Sequence, residues 1–553
     1  MTSRARFGGA IVFAMCGVMT ARLSPAQTPG AYRPGFHVRS YDITIDVPDS
    51  GAKIHADATL TIERTAARDT LALDLLDLTV ARVAVNGRAA VFRQTPESVV
   101  VILPHASVGD TTLVEVEYGG AVTDGLIARR DSAGRWTYFG DNWPNRARHW
   151  IPSLDHPSDK ATVTWRVRAS PRQTVVANGA LVSTQPLAGA HEGPRVEWVW
   201  RESQPVPAYL MVIAAAPLDR YDLGQTACGL GFDRKCVPQF VYTAPEQIKT
   251  MPGPFRRAGD IVALFSRLVG PFPYEKLAHL QSSTRYGGME NASEIFYSDA
   301  AFRRGTMNDE LIAHETAHQW FGDAVTERQW SHVWLSEGFA TYFSALWVRE
   351  ARGDSAFRTR MRAIRATVLR DSVSVTRRPV IDTIETTLIQ LLNRNSYEKG
   401  GFVLHMLRTQ VGDSAFFRAL RAYYADHRNS TALTADLQSA METASGQKLD
   451  WFFDQWLRRP GYPEIDARWR YDRETHETVI DVRQSTRFGT FRVPLLIGVV
   501  DSLGGEHRAM LPLPADTDAH SIRIGSPTAP SAVLLDPNVT LLANMRVAPS
   551  PPR

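Results

Sequence analysis

A chain of 553 residues is too long for one ordinary core, and at about 100–200 residues per domain it divides into three or four. The formal net charge of +4 is small for that length, and no Lys/Arg block of the nucleic-acid-binding kind occurs, so DNA and RNA are excluded as partners. The composition is that of a soluble globular enzyme, with 44% hydrophobic and 22% charged residues.

The first segment stands apart. Arg4 and Arg6 precede an apolar or small-residue run from Phe7 to Thr20, and Ser24-Pro25-Ala26 offers a cleavage site before Gln27. This pattern predicts a secretory signal over residues 1–26, and hence a secreted or periplasmic protein. No stretch reaches about 18 uninterrupted apolar residues, so stable membrane insertion of the mature chain is not expected. Phe13-Ala14-Met15 before Cys16 fits a lipoprotein signal poorly, and lipid anchoring is not expected either. Two cysteines remain, Cys228 and Cys236, and an oxidising compartment predicts that they pair across a short loop.

From Val38 to Leu218 the two-residue period of half-buried strands dominates. Tyr41, Ile43, Ile45 and Val47 alternate with polar residues, as do Ala58, Leu60 and Ile62, and further runs follow at 99–103, 113–118, 163–167 and 196–200. An all-β domain results. Within it, the dense stretch from Asp141-Asn142-Trp143 to Trp150, followed by Asp155-His156-Pro157, is rich in aromatics, Pro and Arg, as suits a rigid domain junction, with substrate contact as the alternative.

After Asp222 the pattern becomes mixed. A helical run over 255–268 leads to Gly287-Gly288-Met289-Glu290-Asn291, where paired glycines let a backbone approach closely and a strand edge could receive a peptide main chain. Next comes His314-Glu315-Thr316-Ala317-His318, opened by Asp309 and Glu310, acids that favour a helix N-terminus. Residues four apart share a helix face, so His314 and His318 can present two imidazole nitrogens to one ion. Glu337 precedes a second Gly/Pro-poor stretch, 339–349, and can supply a carboxylate from an adjacent helix. Two imidazoles and one carboxylate leave a tetrahedral zinc with an open position, the arrangement of a catalytic site. Helices are predicted to continue through 354–368, 387–393, Tyr397-Glu398-Lys399-Gly400-Gly401 into 402–407, 415–427, 434–443 and 449–457, until Pro460-Gly461-Tyr462-Pro463 stops them. Strands return from Glu464, and the Pro-rich tail after Val547 is expected to be disordered.

Taken in order, Gly287-Gly288-Met289-Glu290-Asn291, His314-Glu315-x-x-His318-Gln319-Trp320, Trp334-Leu335-Ser336-Glu337-Gly338 and Tyr397-Glu398-Lys399-Gly400 resemble the M1 family of zinc aminopeptidases. The resemblance also takes in Arg148 through Asp155-x-Pro157-x-x-Lys160, and Phe452-Phe453-Asp454-Gln455-Trp456-Leu457. It implies a multidomain fold: an N-terminal all-β domain (36–220), a thermolysin-like α+β catalytic domain (221–462) and a small C-terminal β-sandwich (463–548), without the large C-terminal helical domain of many members. It also implies that His314, His318 and Glu337 hold one zinc ion, that Glu315 is the general base, that Tyr397 donates to the oxyanion, and that Glu290 in the Gly287 to Asn291 edge takes the free α-amine of a peptide substrate. The sequence departs from the family at two places. The usual amine-binding Gln or Glu ahead of Arg148 is replaced by the Asp141-Asn142-Trp143 neighbourhood, and Ser331-His332 stand where many members carry an acid. Rival readings are a zinc endopeptidase, which a carboxylate closing the edge would oppose, and a non-catalytic secreted peptide-binding protein.

Overall fold

The computed structural model describes residues 35–187, 193–226 and 236–551. The predicted signal segment and Cys228 lie outside the described residues; Cys236 is exposed.

Alternating apolar residues give the N-terminal region its sheets. Phe36–Asp46 and Lys53–Arg64 pair antiparallel, with every second side chain buried, at the centre of an eight-stranded sheet. Lys160–Ala169 runs parallel to the first of these and carries Trp165 inward, where it stacks on Trp150 at 5.5 Å. Three- and four-stranded sheets complete this region. The stretch predicted as a junction is buried and cross-braced: the Arg148 guanidinium meets Asp155 at 3.0 Å, and that of Arg146 meets Asp141 at 3.0 Å.

A new five-stranded sheet begins at Asp219–Thr226 and continues through Val237–Thr243, Leu277–Ser282, Glu294–Ser298 and the short edge Gly288–Met289. The helix Ala258–Leu268 and the helix Asp309–His318 pack with it, and the long element Trp334–Arg370 crosses behind. That element is broken at Gly353, whose φ of 83° no helix accommodates, so the two predicted stretches are separate helices joined at this residue. Only Leu388–Leu391 of the predicted 387–393 helix forms, as one 3-10 turn. Helices Gly400–Val411, Asp413–His427, Thr434–Ser445 and Asp450–Leu457 follow as the apolar periodicity predicts.

Beyond Glu464 the chain forms a four-stranded and a three-stranded sheet. The start of the tail departs from the expected disorder after Val547, while residues 552–553 lie outside the described residues. Asn544–Pro549 is a strand, paired parallel with Glu464–Asp472 so that Val547 faces Ala467 and Pro549 faces Trp469. Proline is tolerated at such an edge because one side of the strand needs no donor. Among the described residues, no helix is long and apolar enough to cross a membrane.

Candidate metal centre

The helix Asp309–His318 starts where the acids predict: the Asn308 side chain caps it by accepting from the Leu311 amide at 2.9 Å. Its last turn delivers His314 and His318 on one face. Glu337 comes from the first turn of Trp334–Arg370, one helix away. The three come together: His314 Nε2 and His318 Nε2 are 3.3 Å apart, and Glu337 Oε2 stands 3.4 Å and 3.5 Å from them.

The spacing tests the metal directly. Tetrahedral ligands bonded to zinc at about 2.0–2.1 Å stand roughly 3.3–3.4 Å from one another. The observed triangle matches, and Glu337 Oε2 is buried with no hydrogen-bond partner of its own. Two imidazole nitrogens and a carboxylate oxygen converging in this way make a ready cation site.

Surrounding groups orient the ligands. The Ser336 hydroxyl lies 2.9 Å from His318 Nδ1, which leaves Nε2 to face the ion. Gly322, at φ 115°, leaves room for that hydroxyl, because a Cβ there would meet Ser336 Oγ at 2.3 Å. Ser331 and His332, at the position of the family's acid, do not reach the triad; His332 Nδ1 lies 2.8 Å from Thr434 Oγ1 instead. Tyr397, on the turn Asn395–Lys399, donates its hydroxyl to Glu337 Oε1 at 2.8 Å and stacks its ring on His314.

The field is strongly negative. Burial pushes the Glu315 carboxyl well above the ordinary carboxylate range, with His318 opposing and Glu290 and Glu337 reinforcing. Burial also raises Glu290, again against His318 and with Glu337. Burial alone would lower His318, but Glu290, Glu337 and Glu315 more than reverse this and raise it. Glu337 moves the other way. Burial acts to raise it, yet its contacts with His314 and His318 hold it at about 2. Burial keeps the Tyr397 phenol protonated, with Glu337 beside it reinforcing the effect.

The predicted edge is adjacent. Gly288 and Met289 pair with Tyr297 and Phe296, and Gly288 passes so close to Glu315 that a Cβ would lie 2.2 Å from its carboxylate. Glu290 is buried, and its carboxylate lies within 4.8 Å of ligand atoms on both Glu315 and His318. Asn291 is fully buried as well. Asp141 reaches the segment ahead of this edge, accepting from the Arg285 amide at 3.3 Å.

Two supporting residues escape sequence reasoning. Ser336 lies inside the Trp334 to Gly338 run and Gln319 inside the His314 to Trp320 run, but nothing in either spacing says what they touch.

Comparison with known proteins places the geometry. Residues 37–210 match the Peptidase M1 N-terminal domain, and residues 261–456 match the Peptidase family M1 domain. Tricorn protease-interacting factor F2 of Thermoplasma acidophilum is 27% identical over 71% of this chain and 50% of its own length. Leucyl aminopeptidase of Saccharolobus solfataricus is 26% identical over 73% of this chain and 51% of its own. The chain thus spans about half the length of these curated relatives. The crystal structure of an M1 zinc metallopeptidase from Deinococcus radiodurans superposes with a TM-score of 0.66 at 27% identity, covering 76% of this chain and 93% of that one. Aminopeptidase A of Legionella pneumophila, at 19% identity and a TM-score of 0.78 over 94% of this chain and 60% of its own, shares the fold.

Proposed function

Because this chain belongs to peptidase family M1, we propose that it is a zinc aminopeptidase that removes the N-terminal residue from peptides with a free α-amine. His314, His318 and Glu337 hold the ion, as their spacing supports. Zinc held there supplies Lewis acidity that polarises a carbonyl and acidifies water.

The remaining steps belong to the chain's own side chains. Glu315 takes the proton of the attacking water and passes it to the leaving amine, a task suited to a carboxyl that burial makes more basic than an ordinary carboxylate. The Tyr397 hydroxyl, resting on Glu337 at 2.8 Å, re-aims its proton at the oxygen that gains charge. Glu290 receives the protonated α-amine.

The observation that carries this reading is the burial of Glu290 beside the triad. A carboxylate there closes the edge against a chain continuing beyond the N-terminus, and without a cation to meet it would be costly to bury. Acetylating the N-terminus of a peptide substrate should therefore remove nearly all cleavage. Glu290→Ala should lower kcat/KM for the free peptide about ten- to a hundred-fold, the worth of one charge-assisted hydrogen bond. Equal kcat/KM for free and acetylated peptide, with Glu290→Ala like wild type, would make the protein an endopeptidase.

Export belongs to the same reading, supported by Arg4, Arg6 and the run to Thr20 ahead of Ser24-Pro25-Ala26. So does the division into 36–220, 221–462 and 463–548, supported by new sheet systems starting at Asp219 and Glu464.

A further inference from the structure

Gln319 directly follows a metal-ligand histidine and is fully buried, and it uses every hydrogen of its amide. Its Nε2 donates to the Glu290 carbonyl at 2.9 Å and to Asp323 Oδ2 at 2.8 Å, while its Oε1 accepts from the Ser293 amide at 2.8 Å. One side chain thus bridges the end of the metal-binding helix and both ends of the segment 290–293.

Asn178 and Gly179 hold the far end of that segment, at the Ala292 carbonyl and Ser293 Oγ, but they do not reach Glu290. The ladder of the Gly288–Met289 edge ends at Met289, which pairs with Phe296, so Glu290 is the first residue beyond sheet register. The neighbouring Asn291 is buried, and its carbonyl accepts from the Glu294 amide at 3.0 Å, but neither atom of its side-chain amide has a hydrogen-bond partner, so that side chain gives the segment no anchor. Asp323, the other acceptor of Gln319, is itself fixed. Its amide donates to the His318 carbonyl at 3.1 Å, and its own carbonyl accepts from Lys160 Nζ at 2.8 Å. The Glu290 backbone is therefore referenced to the same turn that holds His318.

We propose that Gln319 is a positioning residue for the substrate's α-amine, setting where the Glu290 carboxylate stands relative to the metal ligands. The inference rests on the reading of Glu290 as the amine site. It separates Gln319 from a residue that merely fills space, because its effect must depend on the substrate's amine and must run through Glu290.

The test is a double-mutant cycle on the zinc-loaded protein, with L-leucine p-nitroanilide and its des-amino counterpart, 4-methylpentanoyl p-nitroanilide, the latter read at high enzyme concentration. The quantity measured is the ratio of kcat/KM for the two, the preference for the amine. Gln319→Met keeps the side-chain length and removes all three hydrogen bonds. It should lower the ratio about tenfold, chiefly through KM of the leucine substrate, with zinc stoichiometry unchanged. In the Glu290→Ala background the same change should lower the ratio no further, since neighbours acting through one contact are not additive. If Gln319→Met does not fold, Gln319→Glu is measured in its place, because it keeps the size and the acceptor for Ser293 while, as a carboxylate, losing both donated bonds.

Equal losses on both substrates, leaving the ratio unmoved, would reduce Gln319 to packing and overturn the proposal. So would a loss of preference that adds in full to that of Glu290→Ala. A Glu290→Ala single variant with wild-type preference would instead bring down the amine reading itself, and this inference with it.

Discussion

Gly288→Ala tests Glu315, the proposed general base, by crowding its carboxyl without replacing it. The added Cβ would lie 2.2 Å from Glu315 Oε1, 2.3 Å from its Cδ and 2.6 Å from its Cγ, whereas ordinary contact begins at about 3.4 Å. The obstacle is the free end of a side chain, so the backbone need not move; the carboxyl instead retreats by about 1 Å. A misplacement of that size costs on the order of 10² in rate, or about 2.7 kcal/mol of transition-state stabilisation. The thermal midpoint should stay within a few degrees of wild type, because no backbone group or metal ligand is displaced.

Gly287→Ala is the internal control. A Cβ there meets nothing within 4 Å, so it adds a methyl group to the same edge without approaching Glu315. Steady-state kinetics on leucine p-nitroanilide, with metal content and melting temperature measured on the same preparations, separate the two. Gly288→Ala within threefold of wild-type kcat, or Gly287→Ala equally impaired, would refute the idea that the close approach of Gly288 fixes the Glu315 carboxyl for catalysis.

Glu315→Gln keeps the shape of the base but cannot accept a proton, so zinc should remain stoichiometric by elemental analysis while turnover is nearly abolished. Tyr397→Phe should retain fold and metal and lose about 10² to 10³ in kcat, the cost of one oxyanion donor, and a near-wild-type kcat would reject that role. His279 is fully buried between Phe255 and Tyr297, and burial lowers its pKa from 6.5 to about 3. The unfolded chain therefore binds a proton that the fold refuses. The stability from neutral His279 is fully present above pH 6.5 and is lost as pH falls toward 3, by at most about 1.4 kcal/mol per pH unit. Urea unfolding of His279→Phe between pH 6 and 4 should show a shallower decline than wild type, and equal slopes would exclude His279 as a source of acid sensitivity.

What the sequence displayed depended on how local the signal was. The two histidines share a helix face by spacing alone, and the alternation in 36–64 defined strands because one face of each is buried. Glu290 could be singled out by resemblance, but its burial and its distance from His318 depend on how the 288–289 edge meets the helix, which no spacing encodes. Ser336 illustrates the same limit: it is an ordinary first-turn serine until the fold brings it to His318 Nδ1. The tail misled for another reason. Its proline content argued for disorder, but parallel pairing of 544–549 with 464–469 orders its first residues.

The N-terminal β region is part of the site's mechanics even though none of its residues belongs to the metal triad. Lys160 sends its ammonium into the catalytic region, where it meets the carbonyls of Asp323 and Ala324 at 2.8 and 2.9 Å and that of Ser430 at 3.1 Å. Asn178 Nδ2 donates to the Ala292 carbonyl at 2.8 Å, and the Gly179 amide donates to Ser293 Oγ at 2.7 Å. These contacts grip the turn after His318 and the segment after Glu290, the two pieces that set the separation of Glu290 from the metal triad. Each is a buried polar group that would cost about 1–3 kcal/mol if left unpaired, so sliding one region against the other breaks several at once. The distance between the ion's ligands and the Glu290 carboxylate is therefore a property of the two regions together, and residues 160, 178 and 179 help to set it.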